Sequence, residues 1–326
     1  MQAAQRDRYG PVDVVELRDI PKPTPVDDEV LVRVRAASVN RGDLDGLAPR
    51  PQFVRLFIGV RAPRQWGIGL DAAGEVEAVG PGVTRFKPGD RVFGDMFPFG
   101  MGSFAEYVSA PERAFLPIPA GMTFDEAATL PHGSTLAVQG LRLRDGRTIK
   151  AGDKVLIDGA SGSVGPFAVQ IAKALGAEVT GVTRTEKLDF VRSLGADHVL
   201  DYTTTDYTKA GVRYDWIVDT DSHHSLFAVR RALVPGGVYV TLGGTSWPIL
   251  ASIVVAPFLS RAVGRRMGLL LWWKPFNPPD VERVLGLIAA GKVRPVIDRR
   301  FPLAQVVDAL RWVDEGRAAG KVLVIP

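Results

Sequence analysis

The chain has 326 residues, 40 Lys and Arg against 36 Asp and Glu, a net charge of +4 and 46% hydrophobic content. That length holds about two domains with ample core, and the composition is ordinary for a globular protein. Its basic residues are dispersed rather than gathered with aromatics, so no nucleic-acid partner is expected, and the absence of cysteine excludes disulfides and thiolate metal sites. The first ten residues, MQAAQRDRYG, contain no apolar run of the signal-peptide kind, which points to a cytoplasmic protein.

Residues 1 to about 120 read as strands and turns. Val30 to Arg35 alternates with period 2, as a half-buried strand does. Gly74 to Gly80 and Gly102 to Val108 are strand-like runs bounded by glycine. Pro21, Pro23, Pro25, Pro81, Pro88, Pro111, Pro117 and Pro119 punctuate the region, as in a compact β-barrel. Residues 123 to about 285 alternate strand and helix, the pattern of a parallel doubly wound sheet, with strands at Val155 to Ile157, Val179 to Val182, His198 to Leu200, Trp216 to Asp219 and Val238 to Leu242. From about 290 a strand (Val293 to Ile297), a helix (Gln305 to Glu315) and a strand (Val322 to Ile325) follow, and the last is expected to rejoin the first domain. The expected domains are 1–122 with 287–326, and 123–286. The apolar segment Pro248 to Lys274 is interrupted by Arg261, Arg265 and Arg266, and its uncharged piece, Thr245 to Ser260, is shorter than the ~20 residues of a membrane span. It reads as a buried helix and strand under a covering loop, the alternative being a hydrophobic lip or a membrane-touching surface; no membrane contact is expected.

The densest information lies between Val155 and Lys187. An apolar run enters a glycine-rich turn, Gly159-Ala160-Ser161-Gly162-Ser163-Val164-Gly165, which opens an apolar-periodic helix and leads to a second β-like run. This strand–turn–helix–strand context suits a pyrophosphate held by backbone N–H groups at a helix N-terminus. The register Ala160-x-Gly162-x-x-Gly165 has alanine where the usual fingerprint has its first glycine. Past the second strand, NAD-binding units usually place an acidic residue for the ribose hydroxyl. Here the chain runs Thr183-Arg184-Thr185-Glu186-Lys187, and two cations with hydroxyl donors suit a 2′-phosphate instead. NADPH is the expected cofactor, with Glu186 on a ribose as the competing reading.

Seven motifs in order carry a family resemblance: Gly69-Leu-Asp71-x-x-Gly74-x-Val76, Phe86-Lys-Pro-Gly-Asp90-Arg-Val-Phe-Gly94, Ala127-Ala128-x-Leu130-Pro131, the turn Gly159 to Gly165, Arg192 to Tyr202, Pro235-Gly-Gly237 and Gly320-Lys-Val-Leu-Val324. Together the chain resembles the medium-chain dehydrogenase/reductase superfamily, in its zinc-free quinone oxidoreductase-like branch. The resemblance implies an α/β protein: a GroES-like β-barrel catalytic domain plus a Rossmann domain with NADPH. It adds Tyr202 on the adenosine side and Gly243 near the nicotinamide. It also implies no catalytic zinc, since the zinc-ligand positions of relatives fall on Ala37 to Asp43 and on Leu70-Asp71, and the four histidines lack ligand spacing. Ser38-Val39-Asn40-x-x-Asp43 matches the segment that lines the family's nicotinamide cleft, so Asn40 is the candidate hydrogen-bonding residue and Asp43 a brace for the loop. Departures cluster here: Asp45 after Leu44, Leu136 at a position where relatives carry Thr, and His132 after Leu130-Pro131. His132 is a candidate proton donor, because imidazole titrates near neutral pH. Asp45, Phe97, Phe99, Leu136, Trp247 and Trp272 are candidate pocket residues. The function implied is an NADPH-dependent, zinc-independent reductase of a quinone or an activated C=C bond in a small electron-poor substrate, with a biosynthetic substrate as one reading of the departures. A homodimer is expected. The alternatives are a carbonyl or imine reductase on the same fold, or a non-catalytic NADPH-binding sensor or partner protein.

Overall fold

The computed structural model describes residues 1–49, 55, 59–244, 246–270 and 273–326. In chain order its strands are β1 (Gln2–Gln5), β2 (Glu16–Asp19), β3 (Glu29–Val39), β4 (Asp71–Val79), β5 (Arg91–Asp95), β6 (Tyr107–Pro111), β7 (Phe115–Pro117), β8 (Lys154–Asp158), β9 (Glu178–Thr183), β10 (His198–Asp201), β11 (Tyr214–Asp219), β12 (Leu233–Thr241), β13 (Arg266–Leu269), β14 (Ile297–Pro302) and β15 (Lys321–Ile325). The chain forms two compact units, one of Met1–Thr135, Pro275–Val281 and Pro295–Pro326, the other of Leu136–Lys274 and Glu282–Arg294.

The first unit is a mostly antiparallel β structure. Its main sheet runs β14-β15-β3-β4-β5-β7, with β6 also paired to β3 and β1-β2 forming a separate ribbon. The long β3 organises it, touching β4, β6 and β15. Val30, Val32 and Val34 alternate into the core, where Phe104, Phe115, Ile68 and Leu310 meet them. The C-terminal β15 does return to this unit, antiparallel to β3.

The second unit is a six-stranded parallel sheet in the order β10-β9-β8-β11-β12-β13. Counted from β8, that is 3-2-1-4-5-6, the doubly wound order whose direction reverses between β8 and β11. Strands buried on both faces read as continuous apolar runs; Val155, Leu156 and Ile157, like Trp216, Ile217 and Val218, are all buried. The helix Gly165–Ala174 starts with Pro166 in its first turn, where a missing N–H costs nothing.

Three expectations are corrected. Val293 to Ile297 is not a strand: the main-chain N–H and C=O of Arg294 bond the Gln170 side-chain amide, so they are not free for a ladder, and β14 begins at Ile297. The run Gly102 to Val108 pairs as β6 only from Tyr107, because Met101 and Gly102 adopt positive φ, which breaks extension. The segment after Thr245 is not a buried helix. It forms two helices, Ser246–Val254 and Ala256–Val263, that leave Trp247, Val254 and Phe258 exposed, before β13 closes the sheet. No described helix is long and apolar enough to cross a membrane.

Candidate active site

The first unit holds a buried polar cluster in an otherwise apolar sheet. Strand register builds it. Ser38 of β3 lies opposite Asp71 of β4, and Asp71 lies opposite Asp95 of β5. Residues directly opposite across an antiparallel pair share a face, so one row presents a hydroxyl and two carboxylates. Val322 of β15 pairs with Val39, which sets Lys321 beside Asn40 at the strand end. Asp71 Oδ2 accepts from Ser38 Oγ at 2.6 Å, from Asn40 Nδ2 at 2.9 Å and from Lys321 Nζ at 3.0 Å. Its Oδ1 accepts from the His132 main-chain N–H at 2.9 Å. Lys321 also donates to Asn40 Oδ1 at 2.6 Å. Buried charges persist only when paired and hydrogen-bonded, and here each is.

Two further groups complete the cluster. His132 Nδ1 lies 3.1 Å from Asp95 Oδ2. Burial alone would lower the imidazole pKa, but Asp95 and Asp71 overcome it and the net shift is upward. Asp43 caps the helix Arg41–Leu47 backwards, accepting the Asn40 main-chain N–H on Oδ2 at 2.7 Å. Its Oδ1 is buried with no partner among the described residues. Burial, with Asp71 nearby, pushes this carboxyl up to about 7, so near neutral pH it holds its proton about half the time.

In the second unit the expected turn residues gather at the carboxyl edge of the sheet. Gly159 has φ +78°, and a Cβ there would meet Thr220 Oγ1 at 2.1 Å. A Cβ on Gly165 would meet Gly159 O at 2.3 Å, so that glycine lets the helix approach the turn. Gly162 differs: a Cβ would touch only Gly159 O, at 3.5 Å. The protein does not crowd Gly162; its face opens beside the first-turn N–H groups that a helix leaves without internal partners. That cradle fits a pyrophosphate.

Beside it, Thr183 donates to Ser161 Oγ at 2.8 Å, so two hydroxyls stand where a ribose-binding acid would sit. Arg184 caps the short turn Thr185–Lys187, and Lys187 is buried. Tyr202 donates its main-chain N–H to Thr183 O at 3.0 Å, and its ring is exposed. Glu186 is exposed, while Asp201 is occupied by Thr185 and Thr203. Gly243 follows β12, its C=O accepting from Ser222 N and Thr241 Oγ1.

Between these positions lies a carboxylate pair. Asp158 ends β8 and Asp219 ends β11, and they are register partners across the reversal of strand order. Asp219 accepts from the Tyr239 hydroxyl at 2.9 Å and from Asp221 N at 3.1 Å. Burial, then their mutual repulsion and Asp221, raise Asp158 well above the usual carboxylate range, and burial raises Asp219 too.

The remaining candidates scatter. Asp45 pairs with Arg41 at 3.2 Å and lines a cleft of about 310 Å³ with Gly10, Val12, Leu44 and Asp314. Phe97 is half-exposed, its ring 6.3 Å from that of His132. The Phe99 ring packs on the barrel core under the Arg113 guanidinium, 5.3 Å from the ring centre, so it is wall structure of that unit. Leu136 is half-buried, and Trp247 is 76% exposed. Trp272 lies outside the described residues. Among the described residues no three metal-ligating side chains converge.

Sequence reasoning passed over Asp95, Lys321, Asp158 and Asp219. One signal was available: each is a charged residue at the very end of an apolar run, in VFGD, KVLV, VLID and WIVD.

Comparison with known proteins bears on both units. Residues 26–120 match the alcohol dehydrogenase GroES-like domain, and residues 194–324 the family described as zinc-binding dehydrogenase. The chain is 33% identical to the chloroplast envelope quinone oxidoreductase homolog of Arabidopsis thaliana, over 100% of this chain and 98% of that protein. It is 34% identical to a trans-enoyl reductase of Aspergillus terreus, over 91% of this chain and 86% of that one. The solved quinone oxidoreductase of Coxiella burnetii superposes with a TM-score of 0.85 at 28% identity, covering 100% of this chain and 99% of that one.

Proposed function

Because the chain belongs to the medium-chain dehydrogenase/reductase superfamily, in its quinone oxidoreductase-like branch, we propose that it is an NADPH-dependent reductase of quinones or of activated C=C bonds. The observation that carries the reading is the edge of the parallel sheet. The uncrowded turn at Gly162 is followed, past β9, by Thr183, which bonds Ser161, and then by Arg184 and Lys187 in the stretch where NAD-binding units usually carry an acid. Relatives support the substrate class: one is described as an NADPH-dependent alkenal/one oxidoreductase of Arabidopsis thaliana, 33% identical over 100% of this chain and 80% of that protein.

In this reading the N–H groups of Ser163, Val164 and Gly165 hold the pyrophosphate, Arg184 and Lys187 pair with the 2′-phosphate, Tyr202 covers the adenosine side and Gly243 gives the nicotinamide room. The bound cofactor supplies hydride. Asn40 has both amide hydrogens committed, to Ser38 O at 3.2 Å and to Asp71. We therefore assign it as a positioning residue that shapes the loop rather than as a direct donor to substrate. An enone or quinone needs no metal-bound alkoxide to accept hydride, so orientation and exclusion of water are the main contributions required of the protein. Among the described residues β13 pairs only with β12 and closes the second unit's sheet, and that edge is where a second copy would pair in a homodimer.

The test is deuteride transfer. With 4-deuterated NADPH and an enone, the label is expected on the β-carbon, located by NMR. Label on the carbonyl carbon, giving an allylic alcohol, identifies a carbonyl reductase. Absence of NADPH oxidation across a panel of quinones and enones, with NADPH bound, identifies a non-catalytic binder.

A further inference from the structure

We infer that Arg6, Tyr9 and Arg55 form a binding site, within the first unit, for an oxyanion: the phosphate or carboxylate group of a small ligand. The inference stands whether or not the chain is a reductase. What carries it is a buried guanidinium whose forked edge has no acceptor in the protein.

Three segments bring the site together. Just past β1, the Arg6 main-chain N–H bonds Trp66 O at 2.9 Å, and Gln5 bridges to Gly67. Tyr9 donates its hydroxyl to Gly59 O at 2.8 Å. Gly59 in turn donates its N–H to Arg55 O at 2.9 Å. The segment that carries Arg55 is thereby tied to the one that carries Arg6. Both guanidiniums lie over the Tyr9 ring, Arg55 at 4.7 Å and Arg6 at 5.7 Å from its centre. A ring face attracts a cation, but it cancels no charge. Two like charges therefore share one aromatic ring.

Arg6 is 3% exposed. Its Nη1 donates to the Gly46 C=O on the helix Arg41–Leu47. Among the described residues nothing accepts from its Nε or Nη2. Those two N–H groups point the same way and form the fork that grips a carboxylate or phosphate through two hydrogen bonds. Arg55 repeats the pattern: it is half-buried, its Nε is buried without a partner, and no described acid pairs with it.

The acids nearby are committed elsewhere. Asp7 pairs with Arg18 at 3.2 Å, and Asp45 with Arg41 at 3.2 Å. Asp43 favours the Arg6 cation from a distance, but its Oδ2 is held by the Asn40 main-chain N–H. Burial pulls the Arg6 pKa below its ordinary value, and Tyr9 and Asp43 do not make up the difference. From Gly46 to Leu70 the chain carries Arg50, Arg55, Arg61 and Arg64 and not one Asp or Glu. That stretch offers neither guanidinium a carboxylate. A buried charge is retained when something pairs with it, and a buried N–H with no acceptor in the protein calls for one from outside the chain. Water supplies an acceptor but no charge. An oxyanion supplies both, and it reaches Arg6 past Tyr9 and Arg55, which are only half-buried.

The test uses the intact chain and two probes, sodium phosphate and sodium succinate, against sodium chloride at equal ionic strength. An oxyanion at about ten times its calorimetric Kd should raise Tm by about 2–4 °C. A response to phosphate but not succinate identifies a phosphate-bearing ligand, and the converse a carboxylate-bearing one. The response should vanish in Arg55→Ala and in Arg6→Met. It should persist in Arg64→Ala, which removes an exposed arginine of the same stretch, and in Gly162→Val, which fills the phosphate cradle of the second unit. No response to either oxyanion, an equal response in wild type and Arg55→Ala, or a response lost in Gly162→Val but kept in Arg55→Ala would overturn the site. Should Arg6→Met fail to fold, Arg55→Ala decides alone.

Discussion

The two units solve opposite electrostatic problems. In the barrel, charge is gathered into the core and closed on itself: Lys321, Asn40, Ser38 and the His132 main chain all converge on Asp71, and His132 converges on Asp95. At the sheet edge of the second unit, the turn from Gly159 to Gly165 is built from backbone, with Gly162 left uncrowded. A closed network specifies one geometry and is costly to disturb, since removal of one partner strands another charge. An open backbone cradle is tolerant of side-chain identity but not of added bulk. The same contrast appears in the carboxylates. Asp71 accepts from four donors, whereas burial raises both Asp158 and its register partner Asp219 above the usual carboxylate range.

That contrast can be broken at several points. The largest effect is expected for Lys321→Met, which leaves Asp71 buried without its cation. Loss of about 3–5 kcal/mol of stability, read by urea denaturation, is the expectation for breaking a buried pair; a loss below about 1 kcal/mol would show that the cluster is not closed in the sense described. Gly162→Val should do the reverse. The fold should survive, because a Cβ at that position meets only Gly159 O at 3.5 Å, while NADPH affinity should fall by at least about 100-fold as the side chain fills the pyrophosphate cradle. Fluorescence titration of nucleotide, with melting temperature as control, separates the two outcomes, and unaltered binding would place the cofactor elsewhere. Arg184→Ala should cost about 1.5–3 kcal/mol in NADPH binding and leave NADH nearly unchanged. Equal losses for both nucleotides would remove Arg184 from the 2′-phosphate site.

The subtlest effect is in pH. Asp43 is raised to about 7 in the folded protein, above its ordinary value near 3.8. The folded state therefore holds a proton that the unfolded chain releases between those values, and stability falls as pH rises from about 4 to 7. The slope from one such group is at most about 1.4 kcal/mol per pH unit. Asp43→Asn should flatten the dependence of the urea midpoint over this window; an unchanged slope would assign the buried proton to another group.

The residues differ in how far they could be read from the chain. The turn is local: Gly159, Gly162 and Gly165 lie within seven positions, between two apolar runs that must be parallel strands. Ser161, Thr183 and Arg184 sit at the offset that such a unit imposes, so spacing alone brought them forward. Asn40 and His132 were also reachable, as polar residues beside recognisable motifs, but their partners were not. Asp95 and Lys321 come from strands 226 positions apart, and no periodicity links them. Conversely, the segment from Pro248 was legible as apolar, but the exposure of Val254 and Phe258 was not, because burial depends on what packs against a helix, and its own pattern cannot say.

By itself, then, the amino-acid sequence determined the order of strands and helices, the parallel sheet with its glycine cradle, and the cationic set beside it, because each follows from residues close in the chain and from backbone rules of short range. Tertiary structure alone decided that Ser38, Asp71 and Asp95 share one face, that Lys321 closes on them, that Asp158 meets Asp219 and that Asp95 orients His132. Strand register sets those meetings, and register is fixed only when the whole sheet chooses which side chains to bury.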